Sequence, residues 1–365
     1  MKRTAIVMAV LGMCSWSFGQ DNSKPAAQNL PAGQAAGQAA AAPQGKRPPQ
    51  AKTQPEFEAY KTAMAIRGQL AADGKMTAGQ AVLTSTRNPF TAGMVGFPVM
   101  VGGAGQSGAT LTTSVLSFQS PGQVTLAANA STTVTAAAVV GAGDMATLER
   151  AADDFATKFP DSELRVVIYK SAMQQYQQAN NADKMLEMAR KALTYDPDEP
   201  EALLGVAQVL AERTRDTDLD KDQKLADARK DAERALVTTD TDVPTSGYPP
   251  EQLNAYKGFL RSQAYAIIGT LAFNAKNWPD AEGNLRKSID AFPQQPDAVA
   301  VFRLAVALDM QNKIPEATKL IDQAMDLTKD RPDTGVGKAV RAEKDRLTKL
   351  SGGTPPGQNP TPPKN

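Results

Sequence analysis

Alternating carboxylates in Asp216-Thr217-Asp218-Leu219-Asp220-Lys221-Asp222, with Asp227 beyond, are spaced as oxygen donors around a hard cation would be. The pattern departs from a calcium loop at three points: Lys221 stands where the turn glycine belongs, Lys224 takes a ligand position, and Asp227 replaces the bidentate glutamate. The stretch reads instead as a solvated inter-helix loop, with Arg213 and Arg215 pairing with the aspartates and Asp220 or Asp222 capping the next helix. Asp153-Asp154 offers two carboxylates, yet adjacent helix positions point about 100° apart and cannot flank one bond. Both fit a solvent face near a helix start. Gly102-Gly103-Ala104-Gly105 lacks the Lys-Ser/Thr of a phosphate loop, and no helix clearly follows it.

The chain has no histidine and one cysteine, Cys14, which lies in an apparent leader. Without them a neutral-pH acid-base group, the commonest zinc ligand and a thiol nucleophile are missing. No enzyme, cofactor or metal is expected. Lys2 and Arg3, the apolar stretch Ala5 to Cys14, and the small-x-small Ser17-Phe18-Gly19 form a secretory signal over residues 1–19, with the mature chain starting at Gln20. The apolar run is about half of the roughly 20 residues that a membrane helix needs, so no transmembrane segment is expected after its removal. The rival is a lipoprotein signal ending at Cys14, against which Met13 stands where a lipobox has a small residue. The expected location is therefore periplasmic or secreted. Losing Lys2 and Arg3 takes the formal net charge from +1 to −1, with acids and bases interleaved along the chain. No basic face exists to displace counterions from nucleic acid.

Four kinds of segment lie beyond the signal. Residues 20–52 are rich in Ala, Gln and Pro and too poor in large apolar groups to offset the entropy of ordering, so they read as a flexible linker, and the Pro-rich tail 351–365 reads likewise. Within 53–83, Phe57, Tyr60, Met64 and Leu70 recur at near-helical spacing, which predicts one short amphipathic helix. The Gly/Ala/Thr-rich stretch 84–143 supports two readings. Its glycines suggest loop, while alternation around Val124-Thr125-Leu126 and Thr133-Val134-Thr135 suggests a small β element.

From residue 144 to 350 helices recur at an interval of thirty-odd residues. One unit reads Tyr265-x-x-Ile268-Gly269-x-x-Ala272, Trp278, Ala281-x-x-x-Leu285 and Pro293. An earlier one reads Tyr169-x-x-Ala172-Met173-x-x-Tyr176, Met185-x-x-x-Ala189 and Pro197, with the same offset between Met173 and Met185 as between Gly269 and Ala281. Leu203-x-x-Val206-Ala207-x-x-Leu210 pairs with Ala228-x-x-x-Ala232 across an insertion, and Val301-x-x-Leu304-Ala305-x-x-Leu308 pairs with Ala317-x-x-x-Ile321. A helix from Gly337 to Leu350 can cap the end. Leu148, Ala152 and Phe155 look like the second helix of a further unit whose first helix is the Phe57 segment, with 84–143 inserted between them.

These units resemble tetratricopeptide repeats, and the whole is similar to exported repeat proteins of bacteria. The resemblance implies an all-α solenoid of helical hairpins with disordered termini and the Gly/Thr-rich stretch as an insertion. It further implies a scaffold that takes a protein or peptide partner, as an extended strand or a helix, along its concave face. Carried over unit by unit, the groove residues are Lys170, Gln174, Gln177 and Gln178, then Gln208 and Glu212, then Gln263, Thr270 and Asn274, then Phe302, Arg303 and Asp309. Amides dominate, which suits hydrogen bonding to peptide backbone. The alternative is a structural or adhesive surface protein in which 84–143 makes the contacts.

Overall fold

The computed structural model describes residues 46–245 and 249–350. The expected leader with its cleavage site, most of the 20–52 linker and the Pro-rich tail lie outside the described residues. Helix α1 spans Gln54–Ala65: Thr53 caps it by accepting the Glu56 N–H, and a proline in the first turn suits its entry. The helix is shorter than its apolar spacing suggests. Gly68 N–H closes on the Met64 carbonyl, and Leu70 lies in a strand.

Beyond α1 the chain forms a closed barrel of six strands, which overturns the all-α reading. The strands are β1 (Gln69–Met76), β2 (Val82–Thr84), β3 (Pro98–Val101), β4 (Leu111–Ser120), β5 (Gln123–Leu126) and β6 (Val134–Gly141). Their order around the barrel is β1-β2-β5-β4-β3-β6, with β6 returning to β1, and every pairing is antiparallel. Alternation does the sorting. Val99 and Val101 on β3, Val124 and Leu126 on β5, and Ala137 and Val139 on β6 point into a core shared with Leu83, Phe90 and Met94. Closure leaves no unpaired edge, which a small sheet with few charges would otherwise expose. The chain enters and leaves the barrel side by side, with Gln69 opposite Val140. Gly141 makes this return possible, because a Cβ there would sit 1.7 Å from the Ala65 carbonyl oxygen.

The remaining helices are α2 (Met145–Lys158), α3 (Leu164–Gln178), α4 (Ala182–Tyr195), α5 (Pro200–Arg213), α6 (Lys221–Thr241), α7 (Pro250–Asn274), α8 (Trp278–Ala291), α9 (Ala298–Asp309), α10 (Ile314–Thr328) and α11 (Gly335–Leu350). Each packs on its sequence neighbour. In addition α1, α3, α5, α7, α9 and α11 touch in series, which gives a two-layer solenoid of helical hairpins. The barrel is thus an insertion in the α1–α2 hairpin. Side chains from Leu148, Ile168, Met188 and Leu260 fill the first part of the solenoid core, and Leu285, Leu304, Leu308 and Ile321 fill the last.

Three hairpins turn in the same way. Asn180, Lys276 and Asn312 take left-handed backbone at φ 55°, 57° and 63°. The N–H of the next residue then reaches back to the carbonyl of Tyr176, Ala272 or Leu308, each at 2.9 Å. This satisfies the open helix end and fixes the angle between the paired helices. The α5–α6 hairpin carries a longer connection, residues 214–220. Its aspartates are held by lysine side chains, where the sequence suggests pairing with Arg213 and Arg215: Lys221 binds Asp216 at 2.7 Å, and Lys224 binds Asp218 at 3.1 Å and Asp220 at 2.8 Å, while Arg215 donates its backbone N–H to Asp218 at 3.4 Å. Asp220 occupies the N-cap position of α6 without a capping hydrogen bond.

On the opposite edge, where one hairpin passes to the next, residues 46–52 run extended over the connecting loops. The Lys46 N–H donates to the Thr241 carbonyl at 3.0 Å, and its ammonium binds Asp196 at 2.6 Å and Asp242 at 3.5 Å. Arg47 binds Glu163 at 2.5 Å, Gln50 N–H donates to the same carboxylate at 3.4 Å, and the Lys52 ammonium donates to the Asp161 carbonyl at 2.6 Å. Among the described residues no helix is long and apolar enough to cross a membrane.

Candidate binding groove

The first helices of successive hairpins line one face, and polar side chains tie them together there. Tyr169, Ala172, Met173 and Tyr176 of α3 turn into the core, which leaves Lys170, Gln174 and Gln177 on the groove side. On α5 nearly every residue from Pro200 to Ala211 is buried, and the acids that open this helix lie beneath Lys170. Its ammonium binds Glu199 at 2.6 Å and Glu201 at 3.3 Å.

Both carboxylates are otherwise satisfied. Glu199 accepts the Ala202 N–H at 2.7 Å and so caps α5. Glu201 accepts Gln174 Nε2 at 2.9 Å and the Tyr256 hydroxyl at 2.5 Å, which reaches it from α7. Two carboxylates share one ammonium, and this sets how the groups titrate. Burial alone would depress Lys170, but the charges of Glu199 and Glu201 overcome it and raise the lysine above its ordinary range. Glu199 is pushed up by burial and by Glu201, against the pull of Lys170. The cluster holds its lysine charged and pins α3, α5 and α7 to one another.

The other residues of the expected groove differ in how they are held. Gln177 Nε2 donates to Gln208 Oε1 at 3.2 Å and Gln208 Nε2 to Glu212 Oε1 at 3.3 Å, a chain of partly exposed groups from α3 to α5. Arg303 of α9 donates to the Thr270 hydroxyl at 2.7 Å, and burial lowers its pKa against the raising charges of Glu212 and Asp297. Asp309 is bound by Arg346 of the capping helix. Gln178 and Asn274 are exposed at the turn edge, Gln263 is half-buried, and Phe302 packs partly against the core of the last hairpins. Thr270 is buried, so it positions Arg303 and does not face the groove itself.

Glu199, Glu201 and Tyr256 were missed by the repeat register. The acids look like ordinary first-turn residues of a helix, and nothing local in the sequence shows that Lys170 and Gln174 end on them. The Asp153-Asp154 pair is separated as helix geometry requires: Asp153 binds Lys191 at 2.9 Å and accepts the Tyr169 hydroxyl at 2.7 Å, while Asp154 is exposed. Among the described residues no group of His, Cys, Asp and Glu could hold a metal ion.

No family model and no curated protein matches the chain. Among solved structures it is similar to MamA, at 16% identity over 49% of this chain and 84% of that one, with a TM-score of 0.33. MamA AMB-1 and MamA MSR-1 match at 18% and 17% identity over 52% of this chain, covering 91% and 88% of theirs, both with TM-scores of 0.34.

Proposed function

We propose that this chain is a non-catalytic exported scaffold that holds a protein partner, as an extended peptide or a helix, along the face lined by α3, α5, α7 and α9, within a cell-envelope complex. The observation that carries this reading is the pinning of that face by the Lys170–Glu199–Glu201–Tyr256 cluster. A preorganised surface loses little conformational freedom when a ligand settles on it. Amides at Gln177, Gln178, Gln208, Gln263 and Asn274 add donors and acceptors that require no charged ligand.

A photo-crosslinking amino acid at Gln178 or Asn274, compared with one at Val237 on the outer layer, tests the reading in the native cell. A defined partner captured from the groove positions supports it. Capture from Val237 with none from the groove overturns it.

A second reading, a structural or adhesive surface protein, is favoured by the barrel. No charged residue occurs from Asn88 to Gly143, and the exposed Leu116 and Val95 lie beside each other where β4 meets the segment leading into β3. Replacing residues 69–141 with a short turn separates the two. Groove capture that survives favours the scaffold, and loss of capture with the helices intact favours the barrel.

A further inference from the structure

In a repeat solenoid each unit touches only its neighbours, so curvature is set one junction at a time. The segment 46–52 breaks that rule. Its anchors are Asp161 and Glu163 before α3, Asp196 before α5, and Thr241 with Asp242 before α7. One short stretch of chain therefore joins the loops that lead into α3 and α5 and the end of α6. Pro48 and Pro49 keep it extended at little entropic cost, and they remove two N–H groups that would need partners. Its hold is largely ionic. Arg47 and Glu163 have side chains 61% and 41% exposed and Lys46 42%, so salt and competing charge reach them.

We propose that residues 46–52 form a releasable clamp: while seated on the acidic loop edge they fix the relative placement of the first three hairpins, and their release by ionic competition loosens the curvature of the groove. The competitor is defined by chemistry, as a basic extended segment that takes the carboxylates of Glu163, Asp196 and Asp242. The clamp acts on the geometry of the hairpins whether or not the groove binds a peptide.

The test uses the full chain with Cys14→Ser and spin labels at Asp154→Cys on α2 and Val237→Cys on α6, both exposed in the structure. Circular dichroism confirms helicity throughout. In the Lys46→Ala, Arg47→Ala, Lys52→Ala variant the label-to-label distance distribution should broaden about twofold. Hydrogen exchange at the Gln50 amide should rise several-fold, the scale expected when exposed ion pairs are lost. Wild-type protein at about 1 M salt, where screening acts within roughly 3 Å, should show the same change. A charge exchange, Arg47→Glu with Glu163→Arg, should restore a narrow distribution that Arg47→Glu alone loses. A distribution that stays narrow while the Gln50 amide exchanges freely overturns the clamp. Continued protection of that amide in the triple variant overturns its ionic basis.

Discussion

Gly269 and Gly283 belong to the same hairpin and make opposite demands on a methyl group. A Cβ on Gly269 would lie 2.8 Å from Leu285 Cγ, 2.9 Å from Cδ2 and 3.2 Å from the Leu285 nitrogen, so both a fully buried side chain and a backbone atom stand in its way. At Gly283, which is exposed, a Cβ would meet nothing within 4 Å. Replacing a helical glycine by alanine gains about 1 kcal/mol of helix propensity at either position. Overpacking at Gly269 costs about 1–3 kcal/mol. The expected net is therefore a loss of about 0–2 kcal/mol for Gly269→Ala and a gain of about 0.5–1 kcal/mol for Gly283→Ala. Gly269→Leu should do more damage, since its longer side chain has no space to enter. Trp278 opens α8 with its ring 5.5 Å from Phe273 and reports on this hairpin, so urea unfolding followed by its fluorescence measures the difference locally. Equal midpoints for the two alanine variants, or a Gly269→Leu protein as stable as wild type, would refute the close approach of α7 and α8.

Removing Lys170 as Lys170→Met leaves Glu199 and Glu201 without their counter-charge; with the lysine side chain 21% exposed, the expected cost is about 2–3 kcal/mol, read by denaturation. Gln174→Ala should cost about 1 kcal/mol through its lost bond to Glu201, while Gln178→Ala and Asn274→Ala should leave stability within about 0.5 kcal/mol. In the barrel, hydrogen bonds from Ser85 and Thr86 hold Asp73 down at about 2, so this carboxylate stabilises the fold above its unfolded value near 3.8 and loses that contribution as pH falls toward 2. Protection of the Thr86 amide, bonded to Asp73 at 3.0 Å, should fall over the same interval in hydrogen exchange. Calcium should leave the melting temperature unchanged, because Lys221 and Lys224 already occupy the aspartates of the 214–220 loop, whereas a site filled at 100 times its Kd would add about 2.7 kcal/mol.

Local rules explain what could be read from the sequence. The equal offset from Met173 to Met185 and from Gly269 to Ala281 is a helix–turn–helix geometry written in short-range spacing, and the matching turns at Asn180 and Lys276 are its physical form. Alternation at Val124-Thr125-Leu126 and Thr133-Val134-Thr135 falls on β5 and the start of β6, but closure into a barrel was obscured because β2 and β3 have only three and four residues, and part of the core is built from Ala71, Ala104, Ala130 and Ala137. Glycine content pointed to loop where glycines in fact allow close passage, as at Gly141. The polar pins of the groove were hidden for another reason. Gln174 and Glu201 stand 27 positions apart, and Glu201 and Tyr256 stand 55 apart, distances over which spacing carries no information.

The placement of the barrel also predicts an order of assembly, which pulsed hydrogen exchange during refolding would read. Hairpins such as α3–α4 and α9–α10 close across a few residues and can form early, whereas α1 ends at Ala65 and its partner α2 begins only at Met145. Pairing Gln69 with Val140 brings the ends of the insertion together, so closing the strands lowers the entropic cost of joining α1 to α2. Contacts between residues so far apart in sequence form slowly. The N-terminal repeat is then the last part of the solenoid to complete, and growth runs from the middle of the chain toward its start. A translating ribosome releases these segments in the reverse sequence, so the apolar face of α1 stays uncovered until α2 and α3 have emerged.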